Sequence, residues 1–433
     1  MRLNKLSIEN KYDIPNEMYM KQIRVIENYL EKIENLYLIE NQSLEMQLSL
    51  IGVASELLPI LKDKELWLQR IHLLLLKIKL FIEKNALKSC ALHNGLANIG
   101  IYISILRKNV NCYSHFLNVL NEQICKNLKG LCEYLSMNHL VFTHGFDVIT
   151  GVSGTGNYLL QFAAEKEIHT SLVAIIEYLI EISKYICLEG VQIPGWYIDV
   201  KNEPSYNEYA TYGEGYINYS LSHGVGGILA FLTNAYKKGV VIGEQRLAIE
   251  RIVNEYMRLN AWSDGKWWSG IISKKNYIER KFSDRIERQS WCNGNVSVLF
   301  VLYKTAKILE DNKLEKDCYN NLKEISQQEI QKLGIYSPII CHGLAGIITV
   351  FRVLYEETRE ACFYNIMQEL MKKLLHKYNR TYLYGFRDEK FPQNGIVERK
   401  DDNSFLDGSA GIIMEIAAWI KRDSYFEHLL MLK

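Results

Sequence analysis

Apolar residues at Ile249, Ile252, Val253, Tyr256 and Met257 follow the i, i+3, i+4, i+7, i+8 spacing of a single buried helix face. Comparable amphipathic segments lie at 16–38, 65–84, 112–136, 167–188, 314–333 and 360–378, and with 243–260 they make seven. Each precedes a segment of different character, opened by a quartet Gly-x-x-small that starts at Gly52, Gly95, Gly151, Gly224, Gly294, Gly343 or Gly408. The fourth position is Gly154, Gly227, Gly346 or Gly411 in four quartets and Ser55, Asn98 or Ser297 in the others. The runs that follow, such as Gly343-Leu344-Ala345-Gly346-Ile347-Ile348-Thr349-Val350, are apolar on most sides, as in helices buried on several faces. Small residues three apart let backbones approach closely, and a glycine ahead of a helix tolerates unusual dihedrals and exposes N–H groups.

Seven amphipathic helices alternating with seven buried ones predict an all-α fold, an α/α toroid of seven inner and seven outer helices forming one domain over residues 1–433. An open α-solenoid is the alternative. In a closed ring all inner-helix N-termini lie at one end, so residues beside the quartets meet although they are far apart in sequence. Three stretches break the helical pattern, near 190–215, 262–281 and 382–399. They carry aromatic residues among turn formers, as in Gly195-Trp196-Tyr197, Gly265-Lys266-Trp267-Trp268-Ser269-Gly270 and Leu383-Tyr384-Gly385-Phe386, and predict small β-rich insertions.

Composition narrows the class. Nearly half of the 433 residues are apolar, which supports a large core, and a net charge of +1 gives no reason to expect nucleic acid as a partner. The polar N-terminal segment lacks the apolar stretch of a secretory signal, and no run is long enough to span a bilayer. Nine cysteines, an odd number, then favour thiols and metal ligands over disulfides, and a cytoplasmic setting is expected.

Cys292, Cys341 and His342 each stand within two residues of a quartet glycine. Two thiolates and an imidazole make a three-ligand zinc site with its fourth position open. Cys341 and His342 would chelate more readily from a turn than from a helix, and Pro338 argues against helix there. Two thiolates make zinc a weak Lewis acid, so such a site suits activation of a substrate thiol better than hydrolysis. The other cysteines, Cys90, Cys112, Cys125, Cys132, Cys187, Cys318 and Cys362, read as small buried hydrophobes. His223 directly precedes Gly224, Asp147 stands four residues before Gly151, and Arg288 four before Cys292. The histidine suits proton transfer, the arginine stabilisation of a developing enolate, and the aspartate orientation of the histidine or uptake of a thiol proton. The plainer readings are a helix cap for Asp147 and a surface ion pair for Arg288. Asp407 reads as a cap, His144 as a polar neighbour of Asp147, and His93 shares the quartet register.

The combination Asp147…Gly151-Val152-Ser153-Gly154, Ser222-His223-Gly224-Val225-Gly226-Gly227, Arg288-x-x-x-Cys292-x-Gly294 and Cys341-His342-Gly343-Leu344-Ala345-Gly346 closely resembles the lanthionine synthetase C-like family. The resemblance spans nearly the whole chain, and its size is similar to that of stand-alone bacterial lantibiotic cyclases. It implies one zinc ion held by Cys292, Cys341 and His342, with the fourth position open to water or substrate thiolate. It further implies an active site containing His223, Asp147 and Arg288. The implied reaction is Michael-type addition of cysteine thiols to dehydroalanine or dehydrobutyrine in a dehydrated, leader-bearing precursor peptide, giving lanthionine and methyllanthionine rings. Implied partners are a dehydratase and an exporter, which would bring the protein to the membrane periphery. A glutathione-adding enzyme and a non-catalytic, zinc-containing peptide-binding scaffold are the alternatives. Departures from the pattern are Ser297 and Ser55 at the ends of two quartets and Asn293 after Cys292.

Overall fold

Six of the seven quartet glycines stand immediately before a helix in the computed structural model: Leu96–Arg107, Val152–Leu159, Val225–Lys237, Asn295–Leu309, Leu344–Thr358 and Ser409–Ala418. The structure describes residues 2–39, 42–85, 87–137, 141–202, 212–263, 265, 270–281, 288–390 and 398–433. Gly52 is the exception. It lies inside the helix Leu44–Leu57, where a Cβ would stand 2.5 Å from the Tyr102 ring, so this glycine makes room for a side chain instead of opening a helix.

The other quartet glycines are required by space. Gly151, Gly224, Gly294, Gly343 and Gly408 all have extended, negative φ values, between −86° and −169°, so the unusual dihedrals expected at these positions are not used. A Cβ there would instead collide with the backbone four residues earlier, for example 2.2 Å from the Asp147 nitrogen at Gly151 and 2.4 Å from the Ser404 nitrogen at Gly408. Each quartet is thus the close of a tight turn folded back on itself. Gly408→Ala should therefore lower stability by about 1–3 kcal/mol in urea denaturation, the usual cost of overpacking. Gly130→Ala is the control: that site lies within the helix Ser114–Met137 with open space around it, and alanine there should be neutral or stabilising by about 1 kcal/mol.

The chain divides into two compact units, Met1–Leu87 with Asn98–Leu117 and Ser326–Lys433, and Lys88–Ala97 with Asn118–Ile325. In the first, Leu344–Thr358 packs on Ala361–His376 and Ser409–Ala418, and Ser409–Ala418 packs on Leu44–Leu57, which packs on Lys64–Asn85. All ten residues of Ser409–Ala418 are buried, whereas Ala361–His376 buries Phe363, Ile366, Met367, Leu370, Met371, Leu374 and Leu375, one face only. In the second unit Val225–Lys237 packs on Val152–Leu159, Asn295–Leu309 and Gln245–Trp262. The same alternation of fully buried and one-faced helices therefore organises both units.

The predicted amphipathic segment 167–188 ends early. Its helix, Lys166–Ile182, gives way to the strand Tyr185–Leu188, paired antiparallel with Val191–Pro194. A three-stranded sheet, Ile198–Asp199, Gly215–Asn218 and Ile271–Ser273, joins the first two insertions, which the sequence treats as separate. Asp388–Lys390 pairs with Glu398–Lys400 in the third. The Lys266-Trp267-Trp268-Ser269 part of the aromatic stretch lies outside the described residues. One fully buried carboxylate holds the second unit's insertions to the helix Gln245–Trp262: Glu255 accepts hydrogen bonds from the hydroxyls of Tyr185 (2.6 Å), Tyr219 (3.0 Å) and Tyr277 (2.9 Å). Among the described residues no helix is long and apolar enough to cross a membrane.

Candidate functional site

Backbone hydrogen bonds stitch neighbouring quartet turns together in register. His93 N–H donates to the Ile149 carbonyl (3.0 Å), Val148 N–H to that of Ser222 (3.0 Å), and Ser222 N–H to that of Cys292 (3.2 Å). In the first unit Cys341 N–H donates to the Leu406 carbonyl at 2.9 Å. The donors and acceptors stand two or three residues before a quartet glycine, so the stitching aligns the residues that precede each helix. The turns carry the chemistry because they meet side by side.

In the second unit the strip holds Asp147, His223 and Cys292. The strand Gly215–Asn218 delivers His223: the Asn218 side chain accepts from Ser220 N–H at 2.9 Å, and Ser220 Oγ accepts from His223 N–H at 3.4 Å. His223 Nδ1 then lies 2.7 Å from Asp147 Oδ2. Asp147 is fully buried while the imidazole is about one-third exposed, so the pair presents its ring from a fixed base. The other carboxylate oxygen, Oδ1, accepts from the N–H groups of Thr150 (2.8 Å) and Gly151 (2.6 Å). Asp147 thus closes the turn before Val152–Leu159 and holds the histidine with the same group. With an ionised Asp147 the Nδ1–H tautomer is fixed, and Nε2 is the basic nitrogen. His144 joins this network through Thr150, Nδ1 to Oγ1 at 2.7 Å.

Cys292 is half-buried, with Ser290 Oγ 3.6 Å from its sulfur and its carbonyl accepting from Ser222 Oγ at 3.1 Å. Arg288 is exposed on the loop leading to it. The other cysteines divide. Burial pushes the thiols of Cys90, Cys132 and Cys318 up to about 12, which makes them poor thiolates. The Cys318 side chain is fully enclosed, with the nearby carboxylates of Asp317 and Asp311 adding to the effect of burial. Cys187 corrects the expectation of a buried hydrophobe: it is exposed on the strand Tyr185–Leu188, and Cys112 and Cys362 are only half-buried.

In the first unit Cys341, His342 and Asp407 bring ligand atoms within 4.8 Å of one another. The thiol and imidazole leave the chain from the turn ahead of Leu344–Thr358, where Ser337 and Pro338 carbonyls accept from Leu344 N–H (2.8 Å) and Ala345 N–H (3.2 Å). Behind the imidazole, Asp388 Oδ1 stands 3.4 Å from His342 Nε2 and itself accepts from Ser337 Oγ at 2.7 Å. This is an ion-pair contact that sets a buried negative charge beside the ring. Thiol, imidazole and carboxylate donors at this separation fit a zinc ion.

Asp407 and Asp388 are the residues that sequence reasoning missed. Asp407 is not the cap expected: Gly408 occupies the N-cap of Ser409–Ala418, which has no side-chain cap. The available signal was register, since Asp407 precedes Gly408 as His342 precedes Gly343 and His223 precedes Gly224. Nothing comparable marks Asp388, which a β-strand of the third insertion supplies.

A family model described as lanthionine synthetase C-like protein matches residues 49–431. The chain belongs to the lanthionine synthetase C-like family. Within it, the chain is 28% identical over 337 residues to the nisin biosynthesis protein NisC of Lactococcus lactis subsp. lactis, covering 76% of this chain and 73% of that protein. The solved structure of a nisin cyclase superposes with a TM-score of 0.75 at 20% identity, covering 96% of this chain and 98% of the other. That likeness shows the fold class, the all-α, α/α toroid with small β insertions.

Proposed function

We propose that this member of the lanthionine synthetase C-like family is a zinc-dependent lanthipeptide cyclase. It would act on a dehydrated precursor peptide, a reading supported by the likeness to proteins named nisin cyclase and nisin biosynthesis protein. The observation that carries the reading is the thiol-containing cluster of Cys341, His342 and Asp407 at the openings of two buried helices. The ligands proposed are Cys341 and His342, together with Cys292, which the family motif adds on sequence alone. Bound there, zinc would lower the pKa of a cysteine thiol of the substrate while leaving the sulfur nucleophilic.

The chain's own residues would manage the rest. In the addition a C–S bond forms at the β-carbon of the dehydro residue, the alkene π pair moves toward the α-carbon, and an enolate develops. Arg288 would stabilise that charge. His223, held by Asp147, would supply through Nε2 the proton that ends on the α-carbon, replacing the one lost by the thiol. Dehydratase and exporter remain the proposed partners, and a cytoplasmic location is proposed with them.

The test is metal content alongside the loss of free thiols in a dehydrated precursor. Wild type should carry about one zinc per chain and close thioether rings. Cys341→Ala and Cys292→Ala should each lose both zinc and ring formation. Full ring formation by metal-free protein would overturn the proposal.

A further inference from the structure

We infer that Asp407 is an exchangeable metal ligand, holding between turnovers the coordination position that the substrate thiolate takes. The inference rests on the reading of Cys341 and His342 as metal ligands and goes beyond it, because a three-ligand site with an open fourth position gives Asp407 no part.

Three observations carry it. The carboxylate lies in the same cluster as the Cys341 sulfur and a His342 ring nitrogen, all within 4.8 Å. Its place is set by the fold: the Cys341 N–H to Leu406 carbonyl bond clamps the turn ending in Gly408 against the turn ending in Gly343, and Asp407 N–H is anchored on Ser404 Oγ at 3.3 Å. The members of the cluster also differ in exposure: the His342 ring is half-buried, with the buried Asp388 carboxylate 3.4 Å from Nε2, while Asp407 is exposed to solvent. A half-buried imidazole suits a permanent ligand, and a carboxylate at the solvent boundary suits one that exchanges.

The exchange balances. The bond between the Asp407 oxygen and the metal breaks, a bond from the substrate sulfur forms, and the thiol proton passes to solvent. One singly charged anion replaces another, so the charge of the site is unchanged and no uncompensated charge is created. Thiolate is the softer donor and the better match for zinc among sulfur ligands, which gives the exchange its direction. The carboxylate would keep adventitious thiols from the site until a tethered peptide cysteine, at high effective concentration, displaces it.

Cobalt(II) in place of zinc reports this without turnover. The metal-free full-length protein is loaded with cobalt, and visible spectra of wild type, Asp407→Asn and Asp407→Ala are compared before and during titration with N-acetylcysteine methyl ester. A thiolate-to-cobalt band should appear in all three. In Asp407→Ala the ligand-field bands should shift and cobalt affinity in chelator competition should fall by about 10–100-fold, the range known for groups that support a metal site. Affinity for the added thiol should rise by roughly ten-fold if the carboxylate holds the position most of the time, with Asp407→Asn between the two. Identical spectra and thiol affinities in wild type and both variants would overturn the role of Asp407 and leave the zinc reading standing. Absence of any thiolate-to-cobalt band in wild type would overturn the zinc reading, and this inference with it.

Discussion

Asp147→Asn should lower the rate of ring formation by about 10²–10⁴-fold while leaving zinc content and folding close to wild type. The asparagine oxygen can still accept from Thr150 and Gly151 N–H, so the turn before Val152–Leu159 survives. Its amide nitrogen, however, would face His223 Nδ1, where the carboxylate stood at 2.7 Å. The neutral ring would then carry its proton on Nε2, and the imidazolium would lose its neighbouring negative charge. Asp147→Ala separates the two duties of the residue. It also leaves the Thr150 and Gly151 amides unsatisfied, and should cost a further 1–3 kcal/mol or so of stability. Thiol consumption, zinc content and urea denaturation of both variants check this. An asparagine variant with the wild-type rate would reduce the Asp147–His223 pair to a structural contact.

Arg352→Met should destabilise the first unit by about 3–5 kcal/mol in denaturant melts at neutral pH, without touching the candidate site. Arg352 is fully buried in the helix Leu344–Thr358 and pairs with two fully buried carboxylates, Glu415 at 2.9 Å and Glu427 at 2.6 Å. Thr349 and the Trp419 indole complete the shell of Glu415, at 2.8 Å and 2.9 Å. Methionine fills much of the volume but leaves the buried Glu415 without its cation and Glu427 with Lys433 alone, at 3.3 Å.

The stability difference between the two proteins should depend on pH. Burial by itself would raise the Glu427 carboxyl, but the attraction of Arg352 and Lys433 outweighs it and holds the group at about 2. A carboxyl held below its unfolded value contributes stability that is complete above about pH 4.3 and is lost as pH falls through the folded value near 2. Glu427 therefore withdraws stability across that acid window, whereas Glu415, which burial raises despite Arg352, contributes with the opposite sign. Without Arg352 burial dominates, the carboxyls titrate higher, and protonation relieves the strain. The deficit of Arg352→Met should thus shrink as pH falls. A deficit that stays constant from neutral pH to pH 3 would show that the carboxylates are not its source.

Much of this arrangement was readable before any fold was known, for reasons particular residues make plain. Phe363, Ile366, Met367, Leu370 and Met371 repeat at helical spacing because only one face of their helix is buried. Gly224, Gly294, Gly343 and Gly408 were conspicuous because the tight turn before each buried helix admits no Cβ. His223, Cys292, Cys341 and His342 stood out by sharing that register. Asp388 and Glu255 did not, since each acts across a distance that carries no local periodicity. Gly52 misled because a small residue beneath an aromatic ring looks, in sequence, like a small residue at a turn.

The alternation of helices, and the turns on which the chemistry stands, are written in the order of residues, because periodicity and steric need are local properties. Which turns lie side by side is not. Nor is the double service of Asp147 to the turn before a helix and to a histidine, or the meeting of Asp407 with Cys341 and His342. Those outcomes depend on hydrogen bonds such as Ser222 to Cys292 and Cys341 to Leu406, which join residues far apart in the chain and exist only once the buried helices have packed.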